Sequence, residues 1–148
     1  MAVRFDVITL FPELFAPFQS IGVTRRAFET QAVDVRLWPL RDHADGTYRR
    51  VDDRPFGGGP GMVMTPQPIY DCLKQVKKLN RGPIAYMSPR GKILTQNYAG
   101  QLAKKILNPK NELAQKSTSK LPSLKSAKPG IILLCGRYEG IDQRIIDL

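Results

Sequence analysis

Residues 131–142 read IILLCGRYEGID: five apolar residues in succession are followed at once by glycine, arginine, tyrosine and glutamate. An uninterrupted apolar run of this kind is typical of a strand that is buried on both faces of a sheet. Such sheets are parallel, carry helices on both faces and bind ligands beyond the carboxyl ends of their strands. We therefore expect an α/β fold in which GRYEGID lies at the ligand-binding edge.

The rest of the chain alternates strands and helices, as a parallel sheet requires. Further strands are predicted at 3–10 (VRFDVITL), 33–38 (VDVRLW) and 84–87. Helices are predicted over much of 22–31, from Thr65 and Pro66 with Ile69, Cys72, Leu73 and Val76 on one face, from Thr95 to about Leu107, and at the RIIDL end. Residues 39–64 lack periodicity, which predicts a long loop, and loops of this length in compact domains are either functional or disordered.

The composition is that of a globular domain, and the sequence predicts neither a metal site nor a membrane-spanning segment. The length of 148 residues suits one domain, and no apolar run is long enough to cross a bilayer. Arg4 and Asp6 interrupt the apolar start, so it does not predict a secretory signal, and we expect a cytoplasmic protein. Cys72 and Cys135 lack the spacing of a zinc site or a disulfide framework. The single histidine, His43, gives a nucleophilic mechanism little support.

The net charge of +10 favours a polyanionic partner such as nucleic acid. Residues 104–128 alone hold seven lysines and one acid, Glu112. Within them begins a stretch rich in Lys, Ser and Pro, 108–130, which we interpret as an insertion loop. Two interpretations remain open for it: a solvated loop, or a contact with an RNA backbone.

The segment DDRPFGGGPGM, residues 52–62, has four glycines in five positions. It lacks the Lys and the hydroxyl residue of a phosphate-binding P-loop, and it fits the dinucleotide pattern only if Pro60 is ignored. Glycine lets a backbone approach a flat ligand or a partner chain, and a tight crossing within the fold is the alternative. Asp52, Asp53 and Arg54 have the chemistry for base-edge and phosphate contacts, or form a local ion pair.

Two strands are predicted to end in polar loops, YMSPRG at 86–91 and CGRYEGID at 135–142. The first either offers backbone amides to an adenine edge or a ribose, or is a plain turn. The second fixes Arg137, Tyr138 and Glu139 directly after a buried strand. Ordering three such side chains costs entropy without burying apolar surface, which favours a functional loop.

Four segments in this order resemble the bacterial tRNA (guanine-N1)-methyltransferase family of the SPOUT superfamily: FDVITLFPELF, VDDRPFGGGPGM, MSPRGK and LCGRYEGID. The resemblance spans nearly the whole chain apart from 108–130. It implies transfer of a methyl group from S-adenosylmethionine to N1 of the guanine 3′ of a tRNA anticodon. It also implies a cytoplasmic homodimer whose parallel sheet contains a trefoil knot, a feature otherwise nearly absent from proteins.

The resemblance also assigns site residues. Glu139 matches a position that the family needs for activity. The implied cofactor-binding residues are Tyr86, Met87, Ser88, Pro89, Gly136, Arg137, Tyr138 and Gly140. The implied contacts to the tRNA substrate are Asp52, Arg54, Gly58, Gly59, Pro60 and Gly61. No residue is assigned to a metal.

The family's pattern extends beyond residue 148, into a third cofactor loop, a linker and a helical domain that grips tRNA. In the family, the general-base aspartate and a guanine-binding arginine belong to those parts. We therefore expect residues 1–148 to be a truncated methyltransferase domain with an incomplete knot, which binds cofactor weakly and does not methylate. The alternative is a non-catalytic module that binds RNA or forms dimers. A nucleotide-binding protein built on GGGPG is a weaker rival.

Overall fold

The computed structural model describes residues 2–107 and 130–148. Its strands are β1 (Val3–Thr9), β2 (Val33–Pro39), β3 (Asp52–Asp53), β4 (Val63–Met64), β5 (Ile84–Met87) and β6 (Gly130–Cys135). Its α-helices are α1 (Ala16–Ser20), α2 (Gly22–Glu29), α3 (Pro66–Leu79), α4 (Gln96–Leu107) and α5 (Gln143–Ile146). Short 3₁₀ turns cover Pro12–Phe15 and Leu40–His43.

The apolar run at 131–135 forms an inner strand of a four-stranded sheet. The strand order is β2-β1-β6-β5, and each neighbouring pair is parallel. β6 is therefore hydrogen-bonded on both sides, and its residues alternate between two covered faces, which explains why the sequence has no polar positions there. The predicted α/β class with a parallel sheet is confirmed.

Helix α3 covers one face of the sheet. Its residues Ile69, Cys72, Leu73 and Val76 are buried, as the spacing predicts, and they belong to one apolar core with Ile8. Ile132 and Leu134 from β6 and Ile141 from the loop after it complete this layer. The core thus joins the sheet to the loop that follows β6.

Helices α1 and α2 lie over the opposite face. They enclose, with β1, β2 and β6, an open cavity of about 420 Å³ whose lining is almost wholly apolar. Four phenylalanines line it: Phe5, Phe15, Phe18 and Phe28. Helices are thus present on both faces of the sheet, as expected for this fold class. None of the helices in the described ranges combines the length and apolar content needed to cross a bilayer.

One carboxylate lies in the core between β1 and α3. Asp6 is fully buried and accepts hydrogen bonds from Arg4 Nε at 2.7 Å, Trp38 Nε1 at 2.8 Å and Asn80 Nδ2 at 2.7 Å. Burial by itself raises the pKa of Asp6, but the donors Arg4, Trp38 and Asn80 outweigh it and hold the pKa below 3.8. A buried charge with this many donors ties β1, β2 and the end of α3 together.

One sequence-based expectation needs correction, and another lies almost wholly outside the described residues. Residues 39–64 were expected to lack regular structure, yet they contain the 3₁₀ turn and the antiparallel pair β3 and β4, in which Asp52 faces Met64. Two-residue strands are too short to show an alternating pattern, so periodicity misses them. The expected insertion at 108–130 lies outside the described residues except for Gly130, which belongs to β6 and pairs with Arg4.

The two cysteines lie in different surroundings, neither of them in a disulfide. Cys72 is buried and Cys135 is half-buried, and both are free thiols. Burial raises the pKa of Cys72 to about 12, with a smaller contribution from the charge of Asp6, so this thiol stays protonated at neutral pH.

The Asp6→Asn variant tests the buried network. We expect it to lower the free energy of unfolding at pH 7 by about 3 kcal/mol, because Arg4 would stay buried without its counter-charge. Because the folded pKa of Asp6 is lowered, its ionic contribution is present above pH 3.8 and is lost as the pH falls through the folded value. Urea unfolding at pH 7 and pH 3 measures both effects.

The matched control is Asp45→Asn, which removes a carboxylate from an exposed loop position. If Asp6→Asn is no less stable than this control at pH 7, the network does not stabilise the fold as described.

Candidate functional site

The carboxyl ends of β5 and β6 lie side by side. Met87 pairs with Cys135 and Tyr86 with Leu134 in parallel register, so the loops that begin at Ser88 and Gly136 leave the same edge of the sheet. This is the edge at which α/β proteins bind ligands. Three predicted site positions, Tyr86, Ser88 and Gly136, are thereby neighbours.

The half-buried ring of Tyr86 packs beneath the loop that follows β6. A Cβ atom added at Gly136 would lie 3.0 Å from Tyr86 Cε2 and 3.3 Å from Tyr86 Oη. At Gly140 the added atom would lie 3.7 Å from Tyr86 Oη, and Gly140 has a φ of +137° that disfavours other residues. The two glycines of GRYEG therefore let the loop lie close to an aromatic ring.

The glycine-rich loop meets the same segment at Glu139. A Cβ atom at Gly61 would lie 2.5 Å from Glu139 Cγ and 2.6 Å from Glu139 Oε1, and the φ of Gly61 is +84°. The positive φ of Gly61 favours glycine, and any larger residue would also displace the Glu139 side chain. The approach is to the chain's own Glu139.

Backbone hydrogen bonds fasten the two segments. Glu139 N donates to Met62 O at 3.0 Å, Met64 N donates to Gly140 O at 3.0 Å, and Asp142 N donates to Met64 O at 3.2 Å. Met64 also forms an isolated parallel bridge with Ile141 and is fully buried. The residues that follow β6 are therefore fixed against β4 by main-chain bonding.

Arg137 and Tyr138 are exposed at the tip of this loop. The Arg137 guanidinium carbon lies 5.0 Å from the ring centroid of Phe11. This cation–π contact connects the loop to FDVITLFPELF, the first of the four family segments. Arg137 N donates to Met64 Sδ at 3.2 Å. Burial raises the pKa of the neighbouring Cys135 thiol, and the charge of Arg137 lowers it in part.

Tyr138 has a φ of +56°, in the left-handed region that residues other than glycine rarely adopt. Backbone strain of this kind is found preferentially at functional sites.

Ser88 and Pro89 form a turn that is closed by its own hydrogen bonds. Gly91 N donates to Ser88 O at 2.9 Å, and Arg90 N donates to Ser88 Oγ at 3.2 Å. The amides of Arg90 and Gly91 are thus already engaged by the turn itself. Met87, just before the turn, is half-exposed.

The predicted substrate contacts lie on the β3–β4 hairpin. Asp52 is half-buried in β3, and Asp53 Oδ1 accepts a hydrogen bond from Arg54 N at 2.8 Å. Within the described ranges neither aspartate forms an ion pair with Arg54, so the local ion pair considered from the sequence is not formed there. Gly57, Gly58 and Gly59 all have positive φ and have no atom within 4 Å of an added Cβ, and Pro60 is exposed beside them.

The structure therefore brings together Tyr86, Gly136, Glu139, Gly140 and Gly61. Asp52 pairs with Met64 at the base of the hairpin, and Arg54 and Gly58–Pro60 belong to its exposed loop. Sequence reasoning missed the anchoring roles of Met62 and Met64, because main-chain bonds between distant segments leave no pattern. It also missed the pair of Asp142 and Arg144. In that pair, hydrogen bonds from Arg144 lower the pKa of Asp142 to about 2. An aspartate preceding a helix, which caps it through Arg144 N at 3.0 Å, is a signal that was available.

The Gly61→Ala variant tests the contact with Glu139. The matched control is Gly58→Ala, which has the same positive φ but open space around it. We expect Gly61→Ala to be less stable than Gly58→Ala by about 1 kcal/mol in urea unfolding, and we expect this difference to disappear when Glu139→Ala is added. Equal stability of the two single variants would show that Glu139 does not contact Gly61 in solution.

Comparison with known proteins places this geometry in one family. The sequence profile described as tRNA (Guanine-1)-methyltransferase TrmD matches residues 3–108. A tRNA (guanine-N(1)-)-methyltransferase of Methylibium petroleiphilum is 49% identical over 151 aligned positions, which cover 98% of this chain and 50% of the relative. The corresponding protein of Xanthomonas campestris pv. campestris strain B100 is 44% identical, with 98% and 49% covered.

Among solved structures, the tRNA (m1G37) methyltransferase of Aquifex aeolicus superposes with a TM-score of 0.74 at 30% identity. That match covers 99% of this chain and 56% of the other. The chain spans about half the length of the curated relatives it matches. Since the profile covers most of the sequence and the sheet is shared, the chain belongs to the tRNA (guanine-1)-methyltransferase TrmD family.

Proposed function

We propose that this chain supplies the cofactor-binding loops and the guanine-facing loop of an S-adenosylmethionine-dependent tRNA (guanine-N1)-methyltransferase. The observation that carries the proposal is the junction of the two loops: Glu139 N donates to Met62 O, and Glu139 covers Gly61. Methyl transfer needs the donor and the accepting nitrogen held in line at close range, so positioning supplies much of the rate. Two loops fixed to each other by main-chain bonds meet that need.

The residues around Tyr86 suit S-adenosylmethionine. A half-buried aromatic ring beside Gly136 and Gly140 offers a flat, largely apolar surface of the kind that adenine contacts, and the adjacent Glu139 carboxylate suits a cationic ligand. When bound, the cofactor supplies an electrophilic methyl group. The residues that would hold it are Tyr86, Met87, Ser88, Pro89, Gly136, Arg137, Tyr138 and Gly140.

The hairpin loop is proposed to face the guanine. Asp52 would accept from a base edge, Arg54 would contact phosphate, and Gly58, Gly59, Pro60 and Gly61 would keep the loop free of side chains where the base approaches. Guanine N1 carries a proton that must leave, which calls for a general base. We assign Glu139 an essential positioning role and name no general base in this chain. By itself the chain is accordingly proposed to transfer methyl groups slowly or not at all.

The partner we propose is tRNA, for which the net charge of +10 provides long-range attraction. The proposed assembly is a homodimer in the cytoplasm. The homodimer is supported by exposed apolar residues along the 3₁₀ turn, α1 and α2, since apolar patches of this kind are typical of contacts between subunits: Leu14, Phe18, Ile21 and Val23.

Titration with S-adenosylmethionine tests the cofactor site. We expect saturable heat with the 148-residue chain, and at least about tenfold weaker binding for Tyr86→Ala, because the ring beneath Gly136 and Gly140 would be lost. Tyr86→Phe keeps the ring and should bind nearly as the unchanged protein does. Isothermal calorimetry measures both, with circular dichroism to confirm folding.

The control is Tyr48→Ala, which removes an exposed tyrosine from a loop outside the site. Absence of saturable heat in the unchanged protein, with RNA binding intact, would support the alternative of a non-catalytic RNA-binding or dimerisation module. Two observations support that alternative: the net charge is +10, and the chain spans about half the length of the relatives it matches.

Methyl transfer to tRNA tests the reaction. With a tRNA transcript that carries guanine 3′ of the anticodon and methyl-labelled S-adenosylmethionine, we expect residues 1–148 to react at least about a hundredfold more slowly than a full-length relative, since general-base catalysis is worth that much and we assign no general base among these residues. Mapping of the modified base identifies any product. A rate close to that of the relative would contradict the proposal that residues 1–148 by themselves transfer methyl groups slowly or not at all.

A further inference from the structure

A second concave surface lies beside the loop junction. It is an open cleft of about 660 Å³ between the hairpin loop and the start of α5, and Met64 and Ile141 are among its lining residues. Its polar and aromatic lining includes Arg54, Phe56, Asp142 and Arg144. Because Met64 is bonded to Gly140 and Asp142, the cleft shares a wall with the proposed site.

Phe56 does not pack against the part of the chain that the structure describes. It follows Pro55 on the glycine-rich loop, and its side chain is fully exposed. A large aromatic ring held out in solvent at the mouth of a cleft is typical of surfaces on which unstacked bases lie.

Arg144 is held in place, whereas Arg54 is unrestrained. Arg144 Nε and a terminal nitrogen donate to the two carboxylate oxygens of Asp142 at 2.9 and 2.8 Å, which fixes the guanidinium plane and leaves other N–H groups to point outward. The Arg54 side chain is exposed and has no ion pair within residues 2–107 and 130–148. The cleft therefore presents one positioned and one adaptable guanidinium.

The charged residues of the cleft also restrict the kind of ligand that it can bind. Asp53 and Asp142 line the cleft with the two arginines, so its formal charge is zero and a bare polyanion gains little there. A nucleotide suits it better: the phosphate contacts guanidinium groups, the base lies on the aromatic ring, and the base edge has donors for carboxylates. A volume of about 660 Å³ is in the range of small-ligand sites.

We propose that this cleft binds one unstacked nucleotide of the RNA substrate, next to the one that is methylated, with Phe56 under the base and Arg54 and Arg144 at the phosphate. This inference rests on the proposed function, because it takes RNA to be the substrate. It adds Phe56 and Arg144 to the RNA contacts, and it places the phosphate contact proposed above for Arg54 in the same cleft. The cleft would hold the RNA while the neighbouring guanine is placed at the cofactor site.

The test measures binding of a fluorescently labelled anticodon stem-loop RNA by anisotropy over a range of salt concentrations. We expect Phe56→Ala to weaken binding about tenfold without changing the slope of log affinity against log salt, because stacking is not ionic. Arg54→Gln and Arg144→Gln should each weaken binding and reduce that slope by about one. The matched controls are Tyr48→Ala and Arg26→Gln, at exposed positions outside the cleft, which should change neither quantity.

Abasic substitution of each loop nucleotide in turn identifies the bound base. At one position the loss from the abasic RNA and the loss from Phe56→Ala should not add, because both remove the same contact. RNA binding by the unchanged protein that is insensitive to Phe56→Ala and Arg144→Gln would overturn this inference alone. Absence of RNA binding would overturn it together with the proposed function. Displacement of the RNA by poly-glutamate that depends on Phe56 would assign the cleft to an acidic peptide instead.

Discussion

The candidate site depends on how the short strand β4 is held against the residues that follow β6. Three main-chain hydrogen bonds connect Met62 and Met64 with Glu139, Gly140 and Asp142. Main-chain bonding is insensitive to side-chain identity, so it sets the relative position of two loops whose side chains are free to serve chemistry. This junction holds the glycine-rich hairpin beside the loop that follows β6.

The sheet supplies the other half of the arrangement. Because β5 and β6 are adjacent and parallel, Tyr86 reaches under Gly136, and two loops that are far apart in sequence leave one edge together. The apolar side chains of β6 pack on both faces of the sheet, and this packing fixes the position of the strand and of the edge at which it ends. The order of the strands therefore determines which residues become neighbours at the site.

The elements with strong periodic or apolar patterns were predictable. The run at 131–135 predicts β6, and the spacing of Ile69, Cys72, Leu73 and Val76 predicts the buried face of α3. The pair β3 and β4 was not predictable, because two residues carry no period. The reason for the glycines was predicted only in part. Gly61 does lie close to another group, but the consecutive glycines before it are explained within this chain by positive φ alone.

The contacts across the site were harder to foresee. The contact of Arg137 with Phe11 and the cleft between Phe56 and Arg144 join residues that are far apart in sequence, and only the folded arrangement reveals such pairs. The four family segments nevertheless indicated where to look: Gly61 and Glu139 come from them, Tyr86 directly precedes one of them, and all three lie at or beside the junction. The family segments thus indicated which residues lie close together in the fold, whereas the periodicity of a single helix or strand does not.

The buried carboxylate of Asp6 has a consequence for assembly of the sheet. On β1, Asp6 points to the donors Trp38 and Asn80, whereas its neighbours Phe5 and Val7 point to the cavity lined by phenylalanines. A shift of β1 by one residue would place the Asp6 carboxylate in the apolar cavity. It would also leave the Trp38 indole and the Asn80 amide without a hydrogen-bond acceptor. Mispaired arrangements are thus penalised electrostatically, so one carboxylate enforces the alignment of the strands during folding.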